Sequence, residues 1–502
     1  NYKPFAVMVK DEESLKRNGI FLAPKESNLF NSPSAPILII EAKELKWNSL
    51  VNPIGTKIGF VKAYTPLHLL IFEFFEGDFL VATSGNLRDE PIAIIETEAE
   101  KRLTVCDMFI HHNREIVNRV DDSLVAFIDE KPYILRRGRG YAPLPVIVKN
   151  PEKKEIFGAG SHLKSSVTLL KSDYAFVSQY IGDLENYEAT LFYDEALARM
   201  KRLFDVKPSL TGCDLHPDYY SSKIVAQNFE EIQKVQHHKA HMFACMAENS
   251  IYDNVIGIIY DGTGLGEDNK IWGGEIFYKS GDEIIRKFHL EYVPQIGGDF
   301  ATKYPLRMFI NYLAYFQIDE NLLGERYLKD FTITKRIIES GKGFLETSSM
   351  GRFFEALGAF LTDTYQNEYE GHTAIMLENM CEDKIDDFYD FSISDSEIKL
   401  KSIFKGVIED YKKGMDKKVI ASKIHNTVAE FSIESAKIIR KQAEINKVCL
   451  SGGVFQNLYL LRKMLINLKK NGFEVFIHKF LPPNDGCISV GQVSYILLNK
   501  NA

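Results

Sequence analysis

The stretch NVIGIIYDGTGLGEDNKIWGGE, residues 254–275, runs an apolar β-type segment into Asp261-Gly262-Thr263-Gly264 and then Gly266. Branched apolar residues ahead of a glycine turn read as a buried strand. Glycines at such a turn expose backbone N–H groups. The turn can therefore cradle phosphate oxygens through amides and the Thr263 hydroxyl, while Asp261 at the strand end can hold a metal that bridges to phosphate. A β-hairpin accounts for the same residues, because a second β-like run, KIWGGEIFYK, follows the loop. The two readings are compatible.

Upstream, VQHHKAHMFACMAEN (residues 235–249) carries Ala240, Met242, Ala244, Met246 and Ala247, a composition that predicts a helix. On it His237 and His241, four apart, share one face, and one turn brings both imidazoles to a common point suited to a divalent metal. Surface histidines on an amphipathic helix are the plain alternative, and the spacing alone supports either. Three histidines in five residues, out of 12 in the chain, tilt the reading to metal. His238 faces elsewhere on such a helix. Near the C-terminus, KVCLSGGVFQNLYLLRKMLINLKKNG (residues 447–472) reads as a strand, a Gly452-Gly453 turn and an amphipathic helix. Glycines there let a nucleotide lie against the chain, and a plain tight turn is the simpler reading. In PPNDGCISVGQVSYILL (residues 482–498), Asp485 either caps the following helix or reaches a metal, and spacing does not decide between them.

A chain of 502 residues exceeds what one core supports, since cores split near ~250–300 residues, so two or more domains are expected. Residues 1 to about 145 read as one α/β unit, with β-rich runs FAVMV, PILIIEA, DFLVATSGN, SLVAFID and KPYILRR. The proline-bearing segment YAPLPVIVKNPEKKE then suits an exposed connection, which puts the boundary near residue 150. Beyond it, β-type runs alternate with long amphipathic stretches such as KVIASKIHNTVAEFSIESAKIIRKQAEI, favouring mixed α/β architecture. No internal repeat shows at a period of 20–50 residues. The loop Ala82 to Asn86 and the arginines Arg114, Arg119, Arg136, Arg137 and Arg139 suit a polar anionic ligand, a solvated charged face being the alternative.

Hydrophobic residues at 45% and charged residues at 26% are ordinary for a globular chain. A net charge of -8 argues against a broad nucleic-acid-gripping face. The six cysteines form no C-x-x-C pair, which points to neither a disulfide framework nor a thiolate zinc module and suggests a reducing, cytoplasmic setting. No run of about 18 uncharged apolar residues and no signal-peptide pattern is present, so no membrane association is expected. The start at Asn1, directly before a strand, suggests a fragment with more protein upstream.

Taken in order, KPFAVMV, SPSAPILII, YTPLHLLIF, VATSGNLRDEPI, HNREIVNRVDDS and RRGRGYAP resemble the YrdC-like domain of the HypF carbamoyltransferases of nickel-iron hydrogenase maturation. GAGSHLKSSVTLL, SQYIGDLEN, CDLHPDYYSS, VQHHKAH, YDGTGLGEDNKIWGGE, TSSMGRFFEALGA, LSGGVFQN and PPNDGCISVGQ resemble that family's Kae1-like domain. The resemblance covers essentially the whole chain, without the family's N-terminal acylphosphatase and zinc-finger modules. It implies an α/β fold: a YrdC-like twisted-sheet domain over residues 1–148, then a Kae1-like actin/Hsp70-type (ASKHA) ATPase domain over residues 149–502.

The implied activity is ATP-dependent carbamoyl transfer: carbamoyl adenylate forms in the first domain, and its carbamoyl group passes to the C-terminal cysteine of the partner HypE, a precursor of the hydrogenase cyanide ligands. Lys3, Thr83, Ser84, Asn86, Arg114, Arg136 and Arg139 are then expected to line the ATP and carbamate site. His237, His241, Asp261 and Asp485 match the metal ligands, and Gly262, Thr263, Gly452, Gly453 and Asn457 the second domain's nucleotide loops. Lys164, Asp299 and Arg307 are the expected catalytic residues, with Gly298 and Lys303 beside them. Magnesium is implied for ATP. The metal is left open between zinc, iron and manganese, zinc or iron being favoured. A homodimer is left open too.

Two departures stand out: Ser165 where the family often has Asn, and Ala35 where it often has Arg. The YrdC-like fold also normally has strands before KPFAV, so Asn1 is expected to lie inside a domain. Without the acylphosphatase, the chain is expected to activate carbamate but not carbamoyl phosphate. Two rivals share both folds. A small-molecule O-carbamoyltransferase of antibiotic biosynthesis carries the domains in the opposite order, and a transfer-RNA threonylcarbamoyl-transfer enzyme calls for a basic RNA face. A non-catalytic ATP-dependent scaffold is the third alternative.

Overall fold

A computed structural model describes residues 3–318 and 325–499, which include every candidate site residue; Asn1 lies outside the described residues. Contacts along the chain divide it into two units. One comprises Gln236–His238 and Ile251–Ile477; the other holds the chain up to Val235, Lys239–Ser250 and the segment from His478 onward. The division falls inside one continuous helix, His237–Glu248.

The second of these units contains two six-stranded sheets. In the first the strand order is Phe79–Ala82, Ala6–Val9, Lys57–Lys62, Ile37–Glu41, Leu124–Ile128, Lys131–Arg136. Parallel and antiparallel pairs mix, as when Ala6–Val9 runs parallel to Lys57–Lys62 and antiparallel to Phe79–Ala82. Alternation along these strands buries Val7, Val9, Leu38, Ile40, Ile58 and Phe60 in one core with Leu15 and Phe30 from the flanking helices. The other sheet orders Ile232–Val235, Leu210–Asp214, Ile156–Gly158, Thr168–Lys171, Tyr174–Val177 and Pro145–Ile147.

That last strand corrects the reading of residues 141–155 as a purely exposed connection. Pro145–Ile147 pairs antiparallel with Tyr174–Val177, and Val146 and Val148 are buried. The prolines outweighed a short period-two pattern, exposed at Pro145 and Ile147 and buried at Val146 and Val148, that belongs to an edge strand. The helix Tyr187–Phe204 covers this sheet. Asn186 caps it by accepting from the Ala189 N–H at 2.8 Å, and Ala189, Phe192, Tyr193, Ala196, Leu197 and Met200 form its buried stripe. At ~1.5–3 kcal/mol for each fully buried large side chain, the stripe fixes the helix to the sheet.

The other unit is built on a nine-stranded sheet centred on Val255–Leu265, which runs antiparallel to Ile271–Ser280 and parallel to Lys447–Ser451. This sheet and the one through Ile156–Gly158 share one connectivity: three sequential antiparallel strands, then two more added parallel on the free side of the first. A duplicated topology without a sequence period marks an actin/Hsp70-type architecture. Among the described residues, no helix is long and apolar enough to cross a membrane.

Candidate functional site

The strand Val255–Leu265 runs on through Asp261-Gly262-Thr263-Gly264 and slips register against Ile271–Ser280 between Tyr260 and Gly264, with the turn only at residues 267–270; the hairpin reading holds, while the reading of residues 261–264 as a turn after the strand is corrected. Asp261, Gly262 and Thr263 form the irregularity, which turns their polar groups out of the ladder. Asp261 Oδ2 then lies 3.3 Å from His237 Nε2, and its Oδ1 accepts from the Gly453 N–H at 2.9 Å. The second contact explains the Gly452-Gly453 pair. Gly452 has φ 107°, and a Cβ there would sit 2.2 Å from the Tyr260 carbonyl oxygen, so only glycine lets the loop pass close enough. Gly452→Ala is expected to cost at least ~1–3 kcal/mol, read as a lower urea midpoint; an unchanged midpoint would show that the loop accommodates the methyl group elsewhere.

In the other unit, His241 Nε2 lies 3.6 Å from Asp485 Oδ1, and Asp485 Oδ2 accepts from Ser161 Oγ at 2.7 Å. Asn484, not Asp485, accepts from the Gly486 N–H at 3.1 Å and caps the turn, and Asp485 faces the His241 imidazole. Gly491 makes this possible, since a Cβ would fall 1.9 Å from the Ala240 carbonyl oxygen; its absence lets the helix Ile488–Leu498 press against His237–Glu248. One turn of that helix separates the two histidines. His238 does face elsewhere, its Nδ1 3.0 Å from Gln236 Nε2 and its ring tilted against Trp272.

Beneath His241 lies a fully buried polar chain that sequence reading missed. Cys487 Sγ is 3.3 Å from His241 Nδ1, His478 hydrogen-bonds Cys487, and His478 Nδ1 is paired with Glu248. Burial works against charge on His478, yet the Glu248 carboxylate overrides it and holds the imidazole well above its ordinary value. The one sequence sign was Glu248 and His478 standing in otherwise apolar runs, which does not identify partners 230 residues apart.

The remaining expected residues divide. Lys164, with φ 46°, lines a small open pocket together with Arg136, Arg137, Tyr180, Asn484 and Gly486, so the structure gathers Arg136 and Lys164 at one place. Arg137 is buried among the carbonyls of Val177, Tyr141 and Leu144, and burial pulls its guanidinium down to about 10. Arg139 is engaged within the protein: Nε bonds Asp122 Oδ1 at 2.8 Å, its two Nη atoms donate to Ser34 and Ala35 carbonyls at 2.6 Å, and the group lies 3.5 Å over the Tyr64 ring. Ala35 thus meets Arg139 through its backbone. Lys3, Thr83, Ser84 and Arg114 are exposed, while Asn86 ties its loop by donating to the Leu87 and Glu90 carbonyls.

On the other unit, a Cβ at Gly262 would meet the Arg352 guanidinium at 3.7 Å, the Gly262 carbonyl accepts from Ser349 Oγ at 2.5 Å, and Thr263 is exposed. Asp299 precedes the short helix Phe300–Lys303, and Arg307 lies near the start of Pro305–Phe316, 5.2 Å over Tyr304. Asn457 caps Leu458–Lys470 by accepting from the Leu460 N–H, and its amide donates to His425 Nε2 at 2.8 Å.

Three family models match the chain: "Telomere recombination", the Sua5/YciO/YrdC model, over residues 1–138; "HypF Kae1-like domain" over 151–248; and "Carbamoyltransferase, Kae1-like Domain, second subdomain" over 257–492. A crystal structure of full-length HypF in the phosphate- and nucleotide-bound form superimposes with TM-score 0.93 at 36% identity, covering 99% of this chain and 79% of that one. The chain belongs to the HypF carbamoyltransferase family. Carbamoyltransferase HypF of Synechocystis sp. is 35% identical over 93% of the chain, and the probable carbamoyltransferase HypF of Methanocaldococcus jannaschii 34% over 99%. The chain spans 64% and 66% of the length of these two HypF relatives. The order of the matched models, YrdC type first, is the order expected of HypF and the reverse of that expected of the O-carbamoyltransferase rival.

Proposed function

We propose that this chain performs the ATP-dependent carbamoyl transfer of HypF maturation enzymes. The observation that carries the proposal is full-chain similarity to proteins named carbamoyltransferase HypF. Carbamate oxygen attacks the α-phosphorus of ATP, the bond to pyrophosphate breaks, and carbamoyl adenylate forms against Arg136 in the YrdC-like part. The thiolate of the HypE C-terminal cysteine then attacks the carbamoyl carbon, and AMP leaves with the electron pair of the broken C–O bond. No nucleophile from this chain is required, and none of its cysteines is assigned that role.

A divalent metal held by His237, His241, Asp261 and Asp485 belongs to the same proposal, each residue offering one ligand atom. The fit rests on donor chemistry and spacing. Four ligands at about 2.1 Å around a tetrahedral ion stand roughly 3.4 Å from one another. The His237–Asp261 and His241–Asp485 separations of 3.3 and 3.6 Å are such edges and are longer than strong charge-assisted hydrogen bonds. Two nitrogens and two oxygens suit zinc or iron. Bound there, the ion supplies Lewis-acid stabilisation of charge developing on the transferred group. Asp261 also holds the Gly453 amide, so the residue that binds the ion shapes the nucleotide loop.

The direct test is mass spectrometry of HypE after incubation with this protein, ATP and carbamate. A mass increase at the terminal cysteine equal to one carbamoyl group is the expected result. Unmodified HypE, with AMP release demonstrated in the same reaction, would contradict the proposed acceptor.

A further inference from the structure

We infer that Cys487 is a positioning residue for His241, the end of a buried chain running Glu248, His478, Cys487, His241; this rests on the metal reading above. The geometry is confined to one unit and spans two segments, residues 241–248 of the helix His237–Glu248 and residues 478–487. Cys487 Sγ stands 3.3 Å from His241 Nδ1, while Nε2 of the same ring faces Asp485. A ring that coordinates through Nε2 keeps its hydrogen on Nδ1, so the sulfur is the acceptor that fixes both tautomer and ring angle.

The sulfur is itself held. His478 hydrogen-bonds it as well, and Glu248 anchors His478 while also accepting from the backbone N–H groups of Lys479 at 3.0 Å and Phe480 at 2.8 Å. Neither Glu248 nor His478 retains exposed side-chain surface, so water does not compete for these bonds. Carboxylate and carbonyl groups usually take the second nitrogen of a metal-binding histidine. Here a thiol does so, with an imidazole and a carboxylate behind it.

The test measures affinity for zinc alone, by competition with a chromogenic chelator on the full chain. Cys487→Ala is expected to weaken zinc binding roughly 10- to 100-fold, with Cys487→Ser recovering part of the loss. Equal affinity in wild type and both variants, with unchanged far-ultraviolet circular dichroism, would overturn the inference. A wild type that binds no zinc would instead overturn the metal reading beneath it. Cobalt substitution gives a second readout: a sulfur-to-cobalt charge-transfer band in wild type would make Cys487 a ligand and contradict the positioning role, whereas its absence together with altered d–d bands in Cys487→Ala supports it.

Discussion

Asp261→Asn is expected to lower carbamoyl transfer to HypE by on the order of 10²- to 10³-fold while carbamate-dependent pyrophosphate release from ATP persists. The substitution separates two tasks of one side chain. Asn can still accept from the Gly453 N–H through its carbonyl oxygen, so the loop keeps its 2.9 Å contact. It loses the negative charge opposite His237, where the separation is 3.3 Å and the ion is proposed to sit. Bound metal, measured by elemental analysis, should fall with the transfer rate. Retention of both metal and transfer would remove Asp261 from the ligand set. Loss of pyrophosphate release as well would mean that the YrdC-like part, whose candidate residues lie before residue 140, does not act alone in activation.

The largest effect on stability is expected from the buried pair. His478→Gln should cost about 3–5 kcal/mol in urea unfolding, because it leaves the Glu248 carboxylate in a site with no exposed surface. The pair also predicts a direction with pH. The groups facing His478 are Glu248, Cys245 and Cys487, with Arg137 and Tyr133 also near this cluster. Its folded-state pKa is raised, so the stabilisation is complete below the ordinary histidine value of ~6.5 and is lost as pH rises through the folded value. Wild type should therefore lose stability toward alkaline pH by an increment that His478→Gln lacks. A cost under about 1 kcal/mol, or parallel pH profiles, would show that Glu248 is satisfied by its backbone donors alone.

Much of the site lay within reach of local pattern. Four residues apart on a helix-forming run is a statement about one turn, and His237 and His241 do stand there on one continuous helix. The strand through Asp261 and the turn at Gly452 were legible because apolar runs and glycine punctuation are short-range signals, although the glycines led the reading to end that strand four residues early. The long helix expected within residues 418–445 is observed as Lys417–Ala443. The edge strand Pro145–Ile147 was missed because a three-residue strand that begins on a proline carries too little period to outweigh the breakers.

Residue type and spacing along the chain thus determined the helix, the strands and which side chains could serve as ligands, since each depends on dihedral preference and periodicity over a few residues. Only tertiary packing decided the partners. Asp485 went to His241 because Asn484 took the cap and Gly491 let two helices close to backbone contact. Arg139 went to Asp122 and two carbonyls, and Cys487 to an imidazole 246 positions away. Such pairings are set by which buried polar groups can satisfy one another once water is excluded, and a linear pattern carries no record of that competition.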